Sequence, residues 1–377
     1  MLTPRSPLRR SSFLALLLLA VTGGWVAFAG STGTAPKTAT GTAPETATGT
    51  APETALRSTS GWAGGQTLSL ILSAQTRGEL LPCGHCRVAA GGLARRSAMI
   101  HACRDTADFV IAAEGGDIFR PGGPDPQVDA FLVGMLARLQ YSVLGVGDEN
   151  LRRGVPYLKE LVASHPGLEW VSANILEART GKPVFAPYVL RRVGPHVIGF
   201  TSCLEPELWK EFAAGSPEVE VADPVEKVRE LLVSMRKQCQ LMVCFVHMRY
   251  KPLRSFLVRV DGIDIAVDSH GPRIDNYPRR IGRTRQVFFS GPKGRFINWV
   301  DIQVVPQGLT PRAGRTFYLR DGWDEDSTVT RDVLTFLGTR EPPDSESEDE
   351  STDGERESED PGATAPQEEP EDSGRPR

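Results

Sequence analysis

The stretch "ADFVIAAEGGDIF", Ala107 to Phe119, runs from an apolar segment straight into a polar turn carrying two glycines and Asp117. A short apolar run closed by glycines predicts a buried strand that delivers a carboxylate to its carboxyl end. The pattern repeats on both sides. Upstream, "TLSLILS" (67–73) is a strand followed by the loop "SAQTRGE", and "GLARRSAMIHACRD" (92–105) places Leu93, Met99, Ile100 and Cys103 near helical spacing. Downstream, "VDAFLVGMLARLQ" (128–140) has Phe131, Leu132, Met135 and Leu136 on one stripe, and "YSVLGV" (141–146) runs into "GDENLRRG". Helix "VPYLKELVASH" and strand "LEWVSANI" follow. "HVIGFTS", "PVEKVRELLVSMRKQC", "QLMVCFVHM", "KPLRSFLVRV" and "IDIAVDSHGP" then continue the alternation. The last segments, "RQVFFSGPKG" and "RFINWVDIQVVP", read as strands without helices, joined by a glycine turn into closing antiparallel hairpins. Alternation of this kind predicts an α/β fold with helices outside the sheet and chemistry on the loops at the strands' carboxyl ends.

The ends are of another character. Arg5, Arg9 and Arg10 precede "FLALLLLAVTGGWVAFAG", with Ala27 and Ala29 as small residues of a cleavage site, so residues 1–30 read as a signal peptide or a membrane anchor. The expected location is extracytoplasmic: periplasmic, secreted, or anchored and facing outside. Membrane contact is expected only through this segment, if it is uncleaved. An octapeptide repeat, "TGTAPKTA" and two "TGTAPETA", occupies Thr32 to Ala55, and residues 31–65 read as a low-complexity linker. Residues 341–377 hold 15 acidic residues against 3 Arg and read as a disordered acidic tail. Removing that local −12 from the whole-chain −4 leaves +8 on residues 1–340, whose Arg residues are scattered. No nucleic-acid partner is expected. Residues 66–340 are the expected folded domain.

The loops "SAQTRGE", "AEGGDIF", "VGDENL", "SANI", "VHMR" and "DSHGP" resemble, in order and spacing, the metallophosphoesterase domain of the 5'-nucleotidase and UDP-sugar hydrolase family, within the calcineurin-like superfamily. The resemblance covers roughly Thr67 to Val305. It implies an αββα sandwich, two mixed β-sheets flanked by helices, and a two-metal site that activates water against a phosphate ester. In that family Asp-x-His, Gly-Asp, Gly-Asn-His-Glu, a lone His and Gly-His-x-His supply the ligands. By the resemblance Asp117 takes the bridging position, His247 the lone His and His270 the first His of the last motif, and Asp148 stands where the family has Asn. This chain departs at Gln75-Thr76-Arg77, at Glu149 and at Pro272. Arg77 would repel a metal, Glu149 is no cationic donor and Pro272 has no ligand atom. Asp117, Asp148, His247 and His270 are therefore expected to hold one divalent metal, Mn, Fe or Zn, or none.

"LLPCGHCRVAAGGLARRS" (80–97) contains Cys83 and Cys86, two of six cysteines. A thioredoxin-type site needs a long helix starting at the first Cys, and Gly91-Gly92 interrupts any such helix. Three readings stay open for the pair: a structural disulfide, a redox dithiol, and a soft-metal site with His85 and His101. The text also resembles an exported subset of the family with Cys or selenocysteine at this loop and altered metal motifs. The expected activity is hydrolysis of a small phosphate ester, a nucleotide included. The alternatives are a noncatalytic descendant that binds an unknown ligand or partner, and a thiol-redox protein using Cys83 and Cys86.

Overall fold

In the computed structural model the described residues are 66–338, without His85, Pro124, Glu211, Pro306 and Gln307. The expected export segment, linker and acidic tail lie outside them. The first half contains β1 (Leu68–Ser73), α1 (Leu93–Thr106), β2 (Phe109–Glu114), α2 (Pro126–Arg138), β3 (Tyr141–Gly145), α3 (Asp148–Leu151), α4 (Val155–Ala163) and β4 (Glu169–Val171). The second half contains β5 (Ile175–Glu177), β6 (Val189–Val193), β7 (His196–Leu204), α5 (Pro206–Trp209), β8 (Val219–Val221), α6 (Pro224–Met235), β9 (Leu241–His247), α7 (Tyr250–Arg259) and β10 (Ile265–Asp268). It closes with β11 (Arg279–Ile281), β12 (Thr284–Phe289), β13 (Phe296–Val305), β14 (Gly308–Tyr318) and α8 (Ser327–Gly338).

Two six-stranded mixed sheets result, ordered β14-β13-β1-β2-β3-β4 and β11-β12-β10-β9-β7-β6, with β5 and β8 as a small separate ribbon. The period of two along each strand sorts side chains between layers. Leu70, Leu72, Ile111, Ala113, Val243, Phe245 and Phe288 meet in one cluster between the sheets. Their neighbours Ile71, Val110 and Ala112 face outward and pack with Met99, Ile100, Leu132 and Leu136 of α1 and α2. On the other sheet Cys244, Val246 and Phe289 pack against Val228, Leu232, Leu253 and Phe256 of α6 and α7. The architecture is the expected αββα sandwich. Each fully buried large side chain contributes about 1.5–3 kcal/mol, so all three apolar layers, the two under the helices and the one between the sheets, contribute to stability. Asp125 and Asp223 cap α2 and α6 by accepting from Val128 N at 3.1 Å and Val225 N at 2.7 Å, each followed by Pro at the first turn.

Three expectations need correction. "RQVFFSGPKG" and "RFINWVDIQVVP" are not partners: β12 lies parallel to β10 in the second sheet, whereas β13 runs antiparallel to β1 in the first. Both strands are buried enough to read as hairpin arms, and only the sandwich shows that their glycine turn crosses between sheets. The closing hairpins pair β13 with β14 and β11 with β12. β14 and α8 escape the sequence reading because neither has a continuous apolar stripe; α8 buries only Val329 and Val333. Finally, "LEWVSANI" is two strands, β4 and β5, because Ala173 N turns aside to donate to Ser202 O at 2.8 Å.

Candidate metal centre

Four strand ends converge at one rim of the sandwich. β2 delivers Asp117 through Gly115 and Gly116, β3 delivers Asp148 through Gly147, β9 ends on His247, and His270 follows β10. Parallel neighbours β1, β2 and β3 end together, as do β7, β9 and β10, so one edge of each sheet faces the same cleft. Gly147 makes the approach feasible: a Cβ there would lie 2.2 Å from Asp117 Oδ1 and 2.6 Å from His247 Cε1. Gly116, at φ +114, similarly packs against the Gly147 amide.

One ligand atom from each of Asp117, Asp148, His247 and His270 lies within 4.8 Å of the others. His247 Nε2 is central, 2.7 Å from Asp148 Oδ1, 3.1 Å from His270 Nδ1 and 3.5 Å from Asp117 Oδ2. Donors about 2.0–2.2 Å from one ion stand roughly 3–3.6 Å apart in a tetrahedral or octahedral shell. The His247–His270 and His247–Asp117 separations fall in that range, whereas Asp148 Oδ1 sits closer to His247 and 3.8 Å from His270 Nδ1. Two further observations fit a cation. Asp117 Oδ2 is fully buried with no hydrogen-bond partner, and two carboxylates share the site with two imidazoles. The four residues therefore suit one divalent ion with mixed N/O ligation.

Electrostatics agree with that chemistry. Burial pushes the Asp117 carboxyl up to about 7, helped by the negative Asp148 and opposed by His247 and Arg77. For His247, burial disfavours the imidazolium, but the Asp117 and Asp148 carboxylates outweigh it and the net direction is up. His270 goes the other way, down to about 3, from burial and the neighbouring His247 charge. Asp148 is lowered, because the hydrogen bond and charge of His247 overcome its burial.

The departures from the family pattern also have places. Arg77 Nη2 stands 3.8 Å from Asp117 Oδ2 and donates to Gln75 Oε1 at 3.1 Å, while Gln75 Nε2 donates to Gly271 O at 2.9 Å. Gln75, Arg77 and Asp117 all have positive φ, at 54°, 49° and 49°. Three non-glycine residues in the left-handed region at one site mark it as a strained, over-determined place. Glu149 faces Arg152 at 3.0 Å, and its amide donates to Asp117 Oδ1 at 3.3 Å.

Sequence reasoning missed the residues that hold these loops. Asn150 Oδ1 accepts from Asp117 N at 2.6 Å and Gly147 N at 3.1 Å, tying the two carboxylate loops together. Arg153 donates to Arg120 O and Gly122 O, both at 2.7 Å, and pairs with buried Asp129 at 3.2 Å. Asp268 Oδ1 accepts from the amides of His270 at 3.1 Å and Gly271 at 3.0 Å. Asn150 was in view in "GDENL", and its Asx-type role has no signature beyond its place after the glycine.

Cys83 and Cys86 are disulfide-bonded. His101 pairs with Asp326 at 3.7 Å, and His85 lies outside the described residues. Disulfide sulfurs are not thiolate ligands, so the soft-metal reading is not the arrangement seen.

No family model matches the chain. It is 27% identical over 209 residues to a 2',3'-cyclic-nucleotide 2'-phosphodiesterase/3'-nucleotidase from Yersinia enterocolitica, covering 48% of this chain and 32% of that protein. A protein of the same description from Salmonella typhimurium is 26% identical over the same shares. The chain thus spans about a third of the length of these curated relatives. Among solved structures, the 5'-nucleotidase precursor of Thermus thermophilus superposes with TM-score 0.60 at 19% identity, over 72% of this chain and 58% of that one. The sulfate thiohydrolase SoxB of T. thermophilus gives TM-score 0.64 at 16% identity, over 74% and 61%. The calcineurin-like phosphoesterase YfkN of Bacillus subtilis gives 0.60 at 15%, over 72% and 97%. The fold is that of the calcineurin-like metallophosphoesterases and 5'-nucleotidases.

Proposed function

We propose that this chain is a metal-dependent phosphate-ester hydrolase that works with one divalent ion, manganese, iron or zinc, on Asp117, Asp148, His247 and His270. The convergence of those four side chains, with an unpartnered carboxylate oxygen among them, carries the reading. When bound, such an ion acts as a Lewis acid on a phosphoryl oxygen. The chain's own residues do the rest. Arg77, 27% exposed on its side chain, reaches the cleft with its guanidinium oriented by Gln75, and would bind the remaining phosphoryl oxygens through two N–H groups. His270, held neutral, offers an imidazole at the cleft wall without adding positive charge. Asn150 and Asp268 hold the backbone of the ligand loops, which limits the reorganisation that binding requires.

The curated relatives are described as acting on nucleotides, so nucleoside monophosphates and 2',3'-cyclic nucleotides are the first substrates to assay. The chain is read as exported, on its Arg-then-apolar beginning. The test combines elemental analysis of the purified chain with turnover of an aryl phosphate in added manganese. About one metal per chain and turnover lost in Asp117→Ala are expected; turnover equal to that control sinks the enzyme reading. A second reading, a ligand-binding descendant without catalysis, draws on the Arg77 guanidinium already facing Asp117. It is favoured if no metal copurifies and none binds on titration.

A further inference from the structure

The Cys83–Cys86 bridge lies outside the metal centre, and a stabilising role accounts for it poorly. A bridge with a sequence separation of 3 closes a very short loop, which is the case where cross-linking removes least entropy from the unfolded chain. The loop is also closed without it. Cys83 N donates to Ala90 O at 3.1 Å, Leu93 N to Leu80 O at 3.0 Å, and Arg95 Nη1 to Ala89 O at 2.7 Å. What surrounds the bridge suits reactivity instead. Cys83 is buried at 5% exposure, whereas Cys86 is half-buried and its Sγ lies 3.1 Å from Arg295 Nη2. A guanidinium at that distance favours a thiolate on Cys86. Gly84 between them is exposed, and a Cβ there would meet nothing within 4 Å among the described residues. Leu81 and Val88, two of the exposed large apolar residues among those described, flank the pair.

We propose that Cys83–Cys86 is an exchangeable disulfide that accepts two electrons from a dithiol, with Cys86 as the exposed exchanging sulfur and Cys83 as the buried one. A thiolate of the dithiol attacks Cys86 Sγ; the Cys83–Cys86 bond breaks, and its electron pair leaves on Cys83, which takes up a proton. A mixed disulfide now joins Cys86 to the dithiol. The dithiol's second thiolate attacks its own first sulfur, closing the dithiol into a disulfide and releasing Cys86 as a thiolate beside Arg295. The dithiol is oxidised and the pair reduced; of the dithiol's two protons, one ends on Cys83 and one in solvent. This role requires nothing of the metal centre.

The test equilibrates the full chain, under native conditions, with dithiothreitol and then with glutathione buffers of graded ratio, followed by alkylation and mass spectrometry. The buried thiols Cys103, Cys203, Cys239 and Cys244 serve as internal controls. Reversible reduction of Cys83 and Cys86 alone, with the controls unmodified, is expected. Arg295→Ala should require a buffer roughly 5- to 10-fold more reducing for half-reduction, and Arg295→Lys should recover most of that shift. Two single variants add a readout that survives a folding defect in the Arg295 series. Cys86 in Cys83→Ser should react with an aromatic disulfide reagent at least ~10-fold faster than Cys83 in Cys86→Ser. A pair that resists excess dithiothreitol until the chain unfolds, or equal reactivity of the two sulfurs with no effect of Arg295→Ala, overturns the proposal in favour of a brace.

Discussion

Asn150→Ala offers the sharpest test of how the centre is held. Asn150 is fully buried, and its side-chain oxygen is the acceptor for two backbone amides, Asp117 N at 2.6 Å and Gly147 N at 3.1 Å. Alanine leaves both donors buried and unpaired. Each unsatisfied donor costs about 1–3 kcal/mol, and water entering the small cavity recovers part, so a net loss of about 3 kcal/mol is expected. For a body of this size 1 kcal/mol moves the melting temperature by roughly 2–4 °C, which places the metal-free variant about 6–12 °C below the parent. Asp117, at φ +49, also loses the bond that maintains its left-handed conformation, so manganese affinity should drop about 10- to 100-fold. Asn174→Ala is the comparison: Asn174 bonds backbone groups of Leu204 and Ala222 and none of the four ligand side chains, although Leu204 pairs with His247 across β7 and β9, so it should cost similar stability with a smaller loss of manganese affinity. Calorimetric melting without metal, followed by manganese titration, reads both quantities. A melting shift below about 2 °C together with unchanged affinity for Asn150→Ala would refute the reasoning.

Gly147→Ala should abolish metal binding, since the new methyl would overlap Asp117 Oδ1 and the His247 ring; elemental analysis checks this. Manganese affinity should weaken as pH falls below about 7. Asp117 and His247 both have raised pKa values, so below that point the metal-free chain holds protons there that a cation must displace, at up to about tenfold per proton per pH unit. Titration calorimetry in buffers of different ionisation enthalpy should show proton release at about pH 6 that is smaller at about pH 8, where the Asp117 proton is already gone. Arg77→Ala should raise KM for an aryl phosphate at least about tenfold with metal content unchanged, and Arg77→Lys should fall between, having one ammonium in place of a two-pronged donor. Arg153→Ala removes the charged partner of buried Asp129, which keeps only the Tyr157 hydroxyl, and two carbonyl contacts on the loop after Asp117, and should destabilise the fold by about 3 kcal/mol in urea unfolding.

Much of this molecule was legible in one dimension. Apolar runs ending in Gly-Gly-Asp117, Gly-Asp148, His247 and Ser-His270 announced parallel strands with polar ends, because strands buried on both faces must be apolar throughout and can carry charge only where they stop. Order and spacing of those ends then pointed to the sandwich and to the four candidate ligand residues at its rim. Other features have no local signal. Nothing in "RQVFFSGPKG" or "RFINWVDIQVVP" distinguishes a hairpin from two strands in opposite sheets, since both arrangements bury the same side chains. The acceptor role of Asn150, the clamp of Arg153 and the Arg295 guanidinium beside Cys86 join residues 33, 31 and 209 positions apart, and such pairings exist only once the chain has closed. Periodicity is set by each residue's immediate neighbours and so determined the elements and the residues at their ends. Convergence of Asp117, Asp148, His247 and His270 within 4.8 Å depends on how two sheets pack, which only the tertiary structure decided.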